Sequence, residues 1–208
     1  MKYDNPGSAE DLPEGAALIV IDVQKGLDEH EYWGERNNPG AEHNIARLLD
    51  AWRQRGWPVY YIQHRSTNPK SPLRPGYAGN EIKDEVRPQP GEPVIHKNVN
   101  SAFIGTDLEQ RLRSANHNSL VLTGMMTDQC VSATARMAGN LGFDTFVVSD
   151  ATATFDRYSP VTSRHFTAEE MHDMELASLG GEFSAIVDTG SLLRVIASRT
   201  AGEAAAAR

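Results

Sequence analysis

The sequence predicts an α/β protein with a parallel, doubly wound sheet, and two features of the chain support this prediction. Short apolar runs alternate with segments of helical periodicity along most of its 208 residues. The first run, AALIVIDV at residues 16–23, is rich in β-branched residues and lacks the apolar–polar alternation of a half-exposed strand. Such a run is typical of a strand that helices cover on both faces.

Further apolar runs predict the other strands, and periodic segments predict the helices between them. The predicted strands are PVYYIQH (58–64), PVIHK (93–97), SLVLTGM (119–125), FDTFVVSDATAT (143–154) and FSAIVDT (183–189). The predicted helices are EHNIARLLDAWRQRG (42–56), TDLEQRLRSAN (106–116), TDQCVSATARMAGNLG (127–142), TAEEMHDMELASLGG (167–181) and SLLRVIASR (191–199). Gly56 is expected to end the first of these helices.

Capping residues predict where three of these helices begin. Thr106 and Thr127 are expected to be N-caps, because a side-chain oxygen at that position can accept from a free backbone N–H. Thr167 and Glu170 have the spacing of a capping box.

The segment at residues 65–92 is rich in proline, glycine and charge, and it predicts a long loop. Loops of this length are often lids or oligomer contacts, and a disordered insertion is the alternative interpretation. We expect a single domain over residues 1–208, with flexible ends at residues 1–14 and 201–208.

Composition restricts the class of partner. The net charge of −8 disfavours binding to nucleic acid or to an anionic membrane. No apolar run approaches the roughly 20 residues of a membrane span, and the acidic N-terminus lacks a signal-peptide core. A single cysteine cannot form an internal disulfide, so we expect a cytoplasmic protein. The first strand continues into DVQKGLDE, not GxGxxG, which argues against a nucleotide-binding enzyme.

Three reactive side chains lie at the ends of predicted strands: Asp22 closes the first strand, Lys97 closes the third, and Cys130 follows the fourth by one turn. Sites in open α/β sheets form at this edge, so the three are candidates for shared chemistry. With Thr127 as N-cap, Cys130 occupies the third helical position. The helix dipole and Lys97 are then expected to lower the thiol pKa. Each residue also has an ordinary interpretation: a buried small side chain, a turn aspartate and a solvated lysine.

Three stretches, IVIDVQ, HKNVNSAF and LTGMMTDQCVSATARMAGNLGFDTFVVSDATATF, resemble the isochorismatase-like cysteine hydrolases. This superfamily includes nicotinamidases, N-carbamoylsarcosine amidohydrolases, ureide hydrolases and isochorismatase. The resemblance extends over about residues 16–190. It implies a three-layer α/β/α sandwich with a mainly parallel six-stranded sheet, and assembly into a homo-oligomer such as a dimer or tetramer.

The resemblance also implies a catalytic triad of Asp22, Lys97 and Cys130. It implies a cis peptide bond between Met125 and Met126, and an oxyanion hole formed by the backbone amides of Met126 and Cys130. The expected activity is cysteine-dependent hydrolysis of a C–N bond in a small carboxamide or ureide, through an acyl-thioester and without a cofactor. An isochorismatase-type vinyl-ether hydrolase and a non-enzymatic, thiol-bearing binding protein are the alternatives.

Four residues are candidate substrate contacts: Gln24, Trp33, His64 and Phe103. Tyr32 accompanies Trp33 in the loop after the first strand, where an oligomer contact is the other interpretation. Gln24 has a solvated role as its alternative, and Phe103 a role in the core. Nicotinamidases, by the same resemblance, bind a metal through an Asp-x-His motif and a later histidine. Here isoleucine stands two residues before His64, so we predict no metal.

Overall fold

A six-stranded parallel sheet forms the centre of the protein in a computed structural model that describes residues 7–206. The strands are β1 (Ala17–Ile21), β2 (Val59–His64), β3 (Val94–Lys97), β4 (Ser119–Met125), β5 (Asp144–Ala153), β6 (Arg157–Tyr158), β7 (His165–Phe166) and β8 (Ala185–Val187). Six of them form the sheet in the order β3-β2-β1-β4-β5-β8, and every neighbouring pair is parallel. β6 and β7 pair as a separate antiparallel hairpin that the sequence analysis did not predict.

Helices cover both faces of this sheet. They are α1 (His30–Trp33), α2 (Ala41–Arg55), α3 (Leu108–Ser114), α4 (Ser132–Asn140), α5 (Ala168–Leu179) and α6 (Thr189–Ala206). α2 and α6 pack in one apolar core, and α3, α4 and α5 pack in the other. The predicted fold class, a three-layer α/β/α sandwich with a doubly wound parallel sheet, is confirmed.

The central strand β1 belongs to both cores. All five of its side chains are buried. Leu18 and Val20 pack with α2, whereas Ala17, Ile19 and Ile21 pack with the helices of the opposite layer. Because successive side chains of a strand point to opposite faces, a continuous apolar run supplies apolar side chains to the cores on both faces of the sheet.

Two of the predicted helix ends are confirmed. Gly56 takes a left-handed conformation (φ 64°) directly after α2, and its N–H bonds to carbonyls of the last turn. Thr167 accepts from the backbone N–H of Glu170 and forms the predicted capping box at α5.

The predicted N-cap at Thr106 is wrong by one residue. α3 begins at Leu108, and Asp107 occupies the N-cap position. The Thr106 hydroxyl donates to the carbonyl oxygen of Ala102 at 2.6 Å, and its oxygen accepts from the Leu108 N–H at 3.4 Å. Thr106 thus contacts the first turn of the helix from one position before the N-cap.

The loop at residues 65–92 is packed against the domain and is not a disordered insertion. It contains two short 3₁₀ turns, Ala78–Asn80 and Asp84–Val86, and it buries Leu73 and Val86. Lys83, also buried, donates at 2.6 Å to both Asp28 and Glu42.

The segment at residues 7–14, predicted to be flexible, also contacts the domain. Ala9 and Leu12 are buried in the same core as α2, and Arg199 donates to the Leu12 carbonyl oxygen. Residues 201–206 continue α6, while residues 1–6 and 207–208 lie outside the described residues.

No helix in the described part of the chain has the length and apolar character to cross a bilayer. The expected oligomer and cytoplasmic location stay predictions.

Gly124 allows β1 and β4 to pair closely where the strands end. It pairs with Ile21 in the β1–β4 register and has a φ of 115°, which side chains other than glycine rarely adopt. A Cβ at this position would overlap the Ile21 carbonyl oxygen. Glycine is therefore required by both the backbone angle and the close approach of the two strands.

Replacing Gly124 with alanine is expected to destabilise the protein by about 3 kcal/mol or more, because the clash is with backbone that cannot move freely. Urea unfolding followed by circular dichroism measures the change. Gly40→Ala is the control, since a Cβ there meets nothing within 4 Å. Gly40 is the N-cap of α2, where alanine is less favourable than glycine, so this variant should lose about 1 kcal/mol at most. Equal unfolding midpoints for the two variants would contradict this account.

Candidate active site

The candidate site lies where the strand order of the sheet reverses. β1 has β2 on one side and β4 on the other, and the chain extends outward from this point in both directions. The carboxyl ends of the two central strands leave a crevice at such a switch point. Asp22 directly follows β1, and Cys130 lies in the turn that follows β4.

Asp22 is buried, and its two carboxylate oxygens have different surroundings. Its exposed fraction is 2%, and its backbone is left-handed, with φ 53°. Oδ2 accepts from Lys97 Nζ at 2.5 Å. Oδ1 is buried and has no hydrogen-bond partner among the residues that the structure describes. A buried acceptor without a donor is unfavourable, so Oδ1 is the carboxylate oxygen that a donor from a ligand would satisfy.

Lys97 is the last residue of β3, and its side chain reaches over the end of β2. It is paired in register with His64, whose Nδ1 lies 3.2 Å from Lys97 Nζ. Burial alone would lower the pKa of Lys97, but the Asp22 carboxylate and Cys130 raise it above its ordinary value. The side chain is therefore an ammonium ion held inside the protein.

Cys130 lies in a π-helical turn, Thr127–Val131, that leads into α4. Thr127 is the first helical residue and not the predicted N-cap, because the extended residue before it, Met126, occupies that position. The Thr127 hydroxyl lies 2.9 Å from His172 Nδ1 on α5, so its partner belongs to another helix. The Met125–Met126 peptide bond is cis.

Burial raises the pKa of the Cys130 thiol, and the negative charge of Asp22 raises it further, while Lys97 opposes both effects. The lowered pKa predicted from the sequence is wrong in sign. That prediction rested on the helix dipole and the lysine, because the burial of the sulfur was not visible in the sequence. These effects favour the neutral thiol, and a carboxylate oxygen of Asp22 lies within 4.8 Å of its sulfur.

His64 is held by the side chain of Gln24. The Gln24 amide donates to the His64 carbonyl oxygen at 3.0 Å, and its Oε1 accepts from the His64 N–H at 2.9 Å. The same amide donates to the Asn80 carbonyl oxygen at 2.8 Å. Gln24 is fully buried and its polar atoms are engaged with backbone, so it positions His64 and does not face a substrate.

Asn80, which was not predicted as a site residue, adds a further hydrogen bond to the backbone of His64. Its amide donates at 2.7 Å to the carbonyl oxygens of both His64 and Leu73. It therefore fastens the loop at residues 65–92 to the end of β2. Asn80 lies in a segment without periodicity or motif, so no sequence signal indicated it.

A cavity of about 120 Å³ opens onto the Cys130 sulfur. Its polar lining consists of Asp22, His64, Ser66, Ser71, Asn100 and Gln129. Its apolar lining consists of Leu27, Tyr32, Trp33, Leu73, Met125 and Met126. The site is therefore sized for a small molecule.

Two of the four predicted substrate contacts, Trp33 and His64, line this cavity, and two do not. Trp33 donates to the Gly26 carbonyl oxygen at 2.8 Å and stacks on Phe155, which holds its ring in place. Phe103 instead stacks on Phe143, with ring centroids 5.7 Å apart, in the core below α3 and α4. Its alternative interpretation, a core residue, fits this position.

Met125 and Met126 form one side of the cavity, which we call the methionine wall. Two arginines contact the sulfur atoms of this wall from outside the cavity. Arg36 Nη1 lies 3.7 Å from the Met125 sulfur and forms a bidentate pair with Glu42. Arg157 Nη2 lies 3.6 Å from the Met126 sulfur. Both arginines come from segments distant in sequence, so their roles required the structure.

One cluster in the described part of the chain has donor atoms close enough to hold a metal ion. Donor atoms of Asp22, His64 and Cys130 all lie within 4.8 Å of one another. The Lys97 ammonium already bonds to Asp22 and lies beside His64, so we interpret the cluster as a proton-transfer set. That the site needs no metal stays a prediction.

Comparison with known proteins identifies the family. The Isochorismatase domain model matches residues 16–191. The chain belongs to the isochorismatase family. The matched span contains all the strands of the central sheet, together with Asp22, Lys97 and Cys130. The resemblance of the sequence to isochorismatase-like hydrolases is confirmed, and the protein is an isochorismatase-family hydrolase.

Similar members of the isochorismatase family come from bacteria and plants. The chain is 46% identical over 182 residues to the isochorismatase family protein YrdC of Bacillus subtilis, covering 88% of this chain and 96% of YrdC. It is 31% identical over 195 residues to Nicotinamidase 3 of Arabidopsis thaliana, covering 86% of this chain and 87% of that protein. The crystal structure of an isochorismatase-family protein from Chromobacterium violaceum matches with a TM-score of 0.84 at 41% identity, covering 95% of this chain and 97% of that one.

Gln24→Glu is expected to destabilise the protein by about 2–4 kcal/mol, because a carboxylate would face two carbonyl oxygens that now accept from an amide. The free energy of unfolding in urea measures this. Gln63→Glu is the matched control: its amide also donates to the Asn80 carbonyl oxygen, but the residue is half-buried and a carboxylate can turn towards water. A loss in Gln24→Glu no larger than in the control would contradict the proposed positioning of His64.

Cys130 is expected to alkylate slowly with iodoacetamide at neutral pH, and its rate should rise only above the ordinary thiol pKa of 9.0, since the folded protein holds the proton more tightly than a free thiol. Removing the charge that lowers the thiol pKa, in Lys97→Met, should slow the reaction further. A rate that is already at its plateau near neutral pH would refute the raised pKa.

Proposed function

We propose that this protein is a cysteine-dependent hydrolase of the C–N bond in a small carboxamide or ureide. The observation that carries the proposal is the buried grouping of the Cys130 thiol, the Asp22 carboxylate and the Lys97 ammonium at the base of a small cavity. A nucleophile beside a base that a third group orients is the arrangement that covalent catalysis needs. The similarity to Nicotinamidase 3, whose name denotes an amidase, supports an amide as substrate.

In the first step, Asp22 Oδ1 accepts the thiol proton as the Cys130 sulfur attacks the substrate carbonyl carbon. The raised pKa of the thiol makes this base necessary, because little thiolate exists before the substrate binds. The Lys97 ammonium stabilises the negative charge as it forms on sulfur. Asp22 and Lys97 thus have separate roles, proton transfer and charge stabilisation.

The tetrahedral intermediate carries a negative oxygen that needs donors. We assign this role to the backbone N–H groups of Met126 and Cys130, at the start of the turn that precedes α4. Backbone donors suit the role because they are fixed before the reaction begins and lose little freedom during it.

The C–N bond breaks when Asp22 returns its proton to the leaving nitrogen, which departs as ammonia or an amine. The acyl group stays on the Cys130 sulfur as a thioester. Asp22 then takes a proton from water, the hydroxyl oxygen attacks the thioester carbon, and the carboxylic or carbamic acid leaves as the thiol re-forms. Every proton in this cycle passes through one carboxylate, and the route uses only side chains and water.

Ammonia release across a panel of small amides and ureides tests the proposal. Cys130→Ala and Asp22→Asn are each expected to lower turnover at least about a thousandfold, because members of a catalytic unit fail together. A chelator is expected to leave the rate unchanged. Thr67→Ala, an exposed change on the nearby loop, is the control and should retain full turnover. Retained activity in Cys130→Ala would sink the mechanism.

A further inference from the structure

No lysine or arginine is present among the described residues that line the cavity at Cys130. Apart from the thiol, its ionisable members are Asp22, His64 and Tyr32, and its remaining polar members are serine, asparagine and glutamine. A ligand carboxylate in this space would therefore meet one anion and no oppositely charged partner in the lining. Moving such a group out of water without a partner is strongly unfavourable.

The cation closest to the sulfur, Lys97, does not change this balance. Its side chain is 0% exposed, and its three donors face Asp22, His64 and Cys130. The charges of Lys97 and Asp22 cancel. Formation of the thiolate makes the cluster neutral or negative, according to whether Asp22 keeps the proton, so the cluster presents no net positive charge to a molecule that binds before a bond to sulfur forms.

The two arginines that contact the methionine wall also form ion pairs with carboxylates. Arg36 binds Glu42 at 2.6 and 3.0 Å. Arg157 binds Asp128 at 2.9 Å. Neither guanidinium lines the cavity, so neither offers a free pair of donors to an anion.

His64 presents an uncharged donor to the cavity. Lys97 Nζ has only donors, so His64 Nδ1 must accept from it and the ring proton lies on Nε2. Burial and the charge of Lys97 lower the pKa of His64, which keeps the ring neutral near pH 7. The clamp by Gln24 fixes the backbone of His64 in this position. The histidine therefore suits a neutral acceptor, such as a carbonyl oxygen.

We propose that this cavity takes an uncharged carboxamide or ureide and discriminates against molecules that carry a carboxylate. The nature of the cleaved bond rests on the proposed function, whereas the selectivity rests on the charges around the cavity. The net charge of −8 adds a long-range repulsion of anions. The cavity volume of about 120 Å³ further restricts the substrate to a compact molecule.

Alkylation of Cys130 by two reagents that differ in charge tests this selectivity without requiring turnover. Iodoacetamide is neutral, and iodoacetate is an anion of nearly equal size. In both reactions a carbon–sulfur bond forms, the carbon–iodine bond breaks, iodide leaves with its electron pair, and the thiol proton passes to Asp22 or water. Cys130 is the single cysteine of the chain, so the mass gain, corrected by a Cys130→Ala blank, reports this site.

The ratio of the iodoacetamide rate to the iodoacetate rate is compared with the ratio for N-acetylcysteine amide, a free uncharged thiol. We expect the ratio for Cys130 to be larger by at least about tenfold. Ser66→Lys adds a cation to the lining and should reduce this preference about fivefold or more. Thr67→Lys adds the same charge at an exposed position outside the cavity and should change it less than about twofold. Using a ratio within each variant cancels changes in thiol reactivity.

A ratio for Cys130 equal to that of the free thiol would overturn the proposal, whether or not the protein releases ammonia. So would a Ser66→Lys variant no different from Thr67→Lys. Failure of the proposed function has a separate signature: no ammonia from any amide or ureide, with the alkylation preference intact.

Discussion

Lys97 and Asp22 form an ion pair inside the protein, and the rest of the site is arranged around it. Lys97 ends the edge strand β3 and reaches over β2 to a carboxylate that follows the central strand β1. The two side chains are 0% and 2% exposed. Loss of one partner from such a pair costs roughly 3–5 kcal/mol, because the other charge is left buried. The same ion pair therefore connects the ends of β1 and β3 across the end of β2, and it sets the net charge beside the Cys130 sulfur.

The groups around this pair are mostly uncharged, and this follows from the same constraint. Gln24 and Asn80 satisfy backbone carbonyls at the end of β2 with amides, which add no net charge to the interior. His64 accepts from the ammonium as a neutral ring. The thiol of Cys130 also stays protonated at rest. Under the proposed mechanism, negative charge develops on sulfur only as a substrate arrives, so the resting site avoids an extra buried anion.

Features that depend on strand ends were predictable, and features that depend on contacts between distant segments were not. Asp22, Lys97 and Cys130 follow three strands, and the carboxyl ends of parallel strands share one edge, so their convergence followed from topology. Gln24 was identified as a site residue, but its partners, 40 and 56 residues away, gave it a supporting role. The partner of Thr127 lies 45 residues away on α5, which local capping rules cannot anticipate. The β6–β7 hairpin has strands of two residues each, too short for any periodicity.

The cavity of about 120 Å³ also has a consequence for the second half of turnover. Under the proposed mechanism, the acyl group on the Cys130 sulfur would occupy part of this space, and the second nucleophile would have to share what is left. A compact nucleophile such as water is favoured there over a bulky amine or alcohol. The size of the cavity therefore favours hydrolysis of the proposed thioester over transfer of its acyl group.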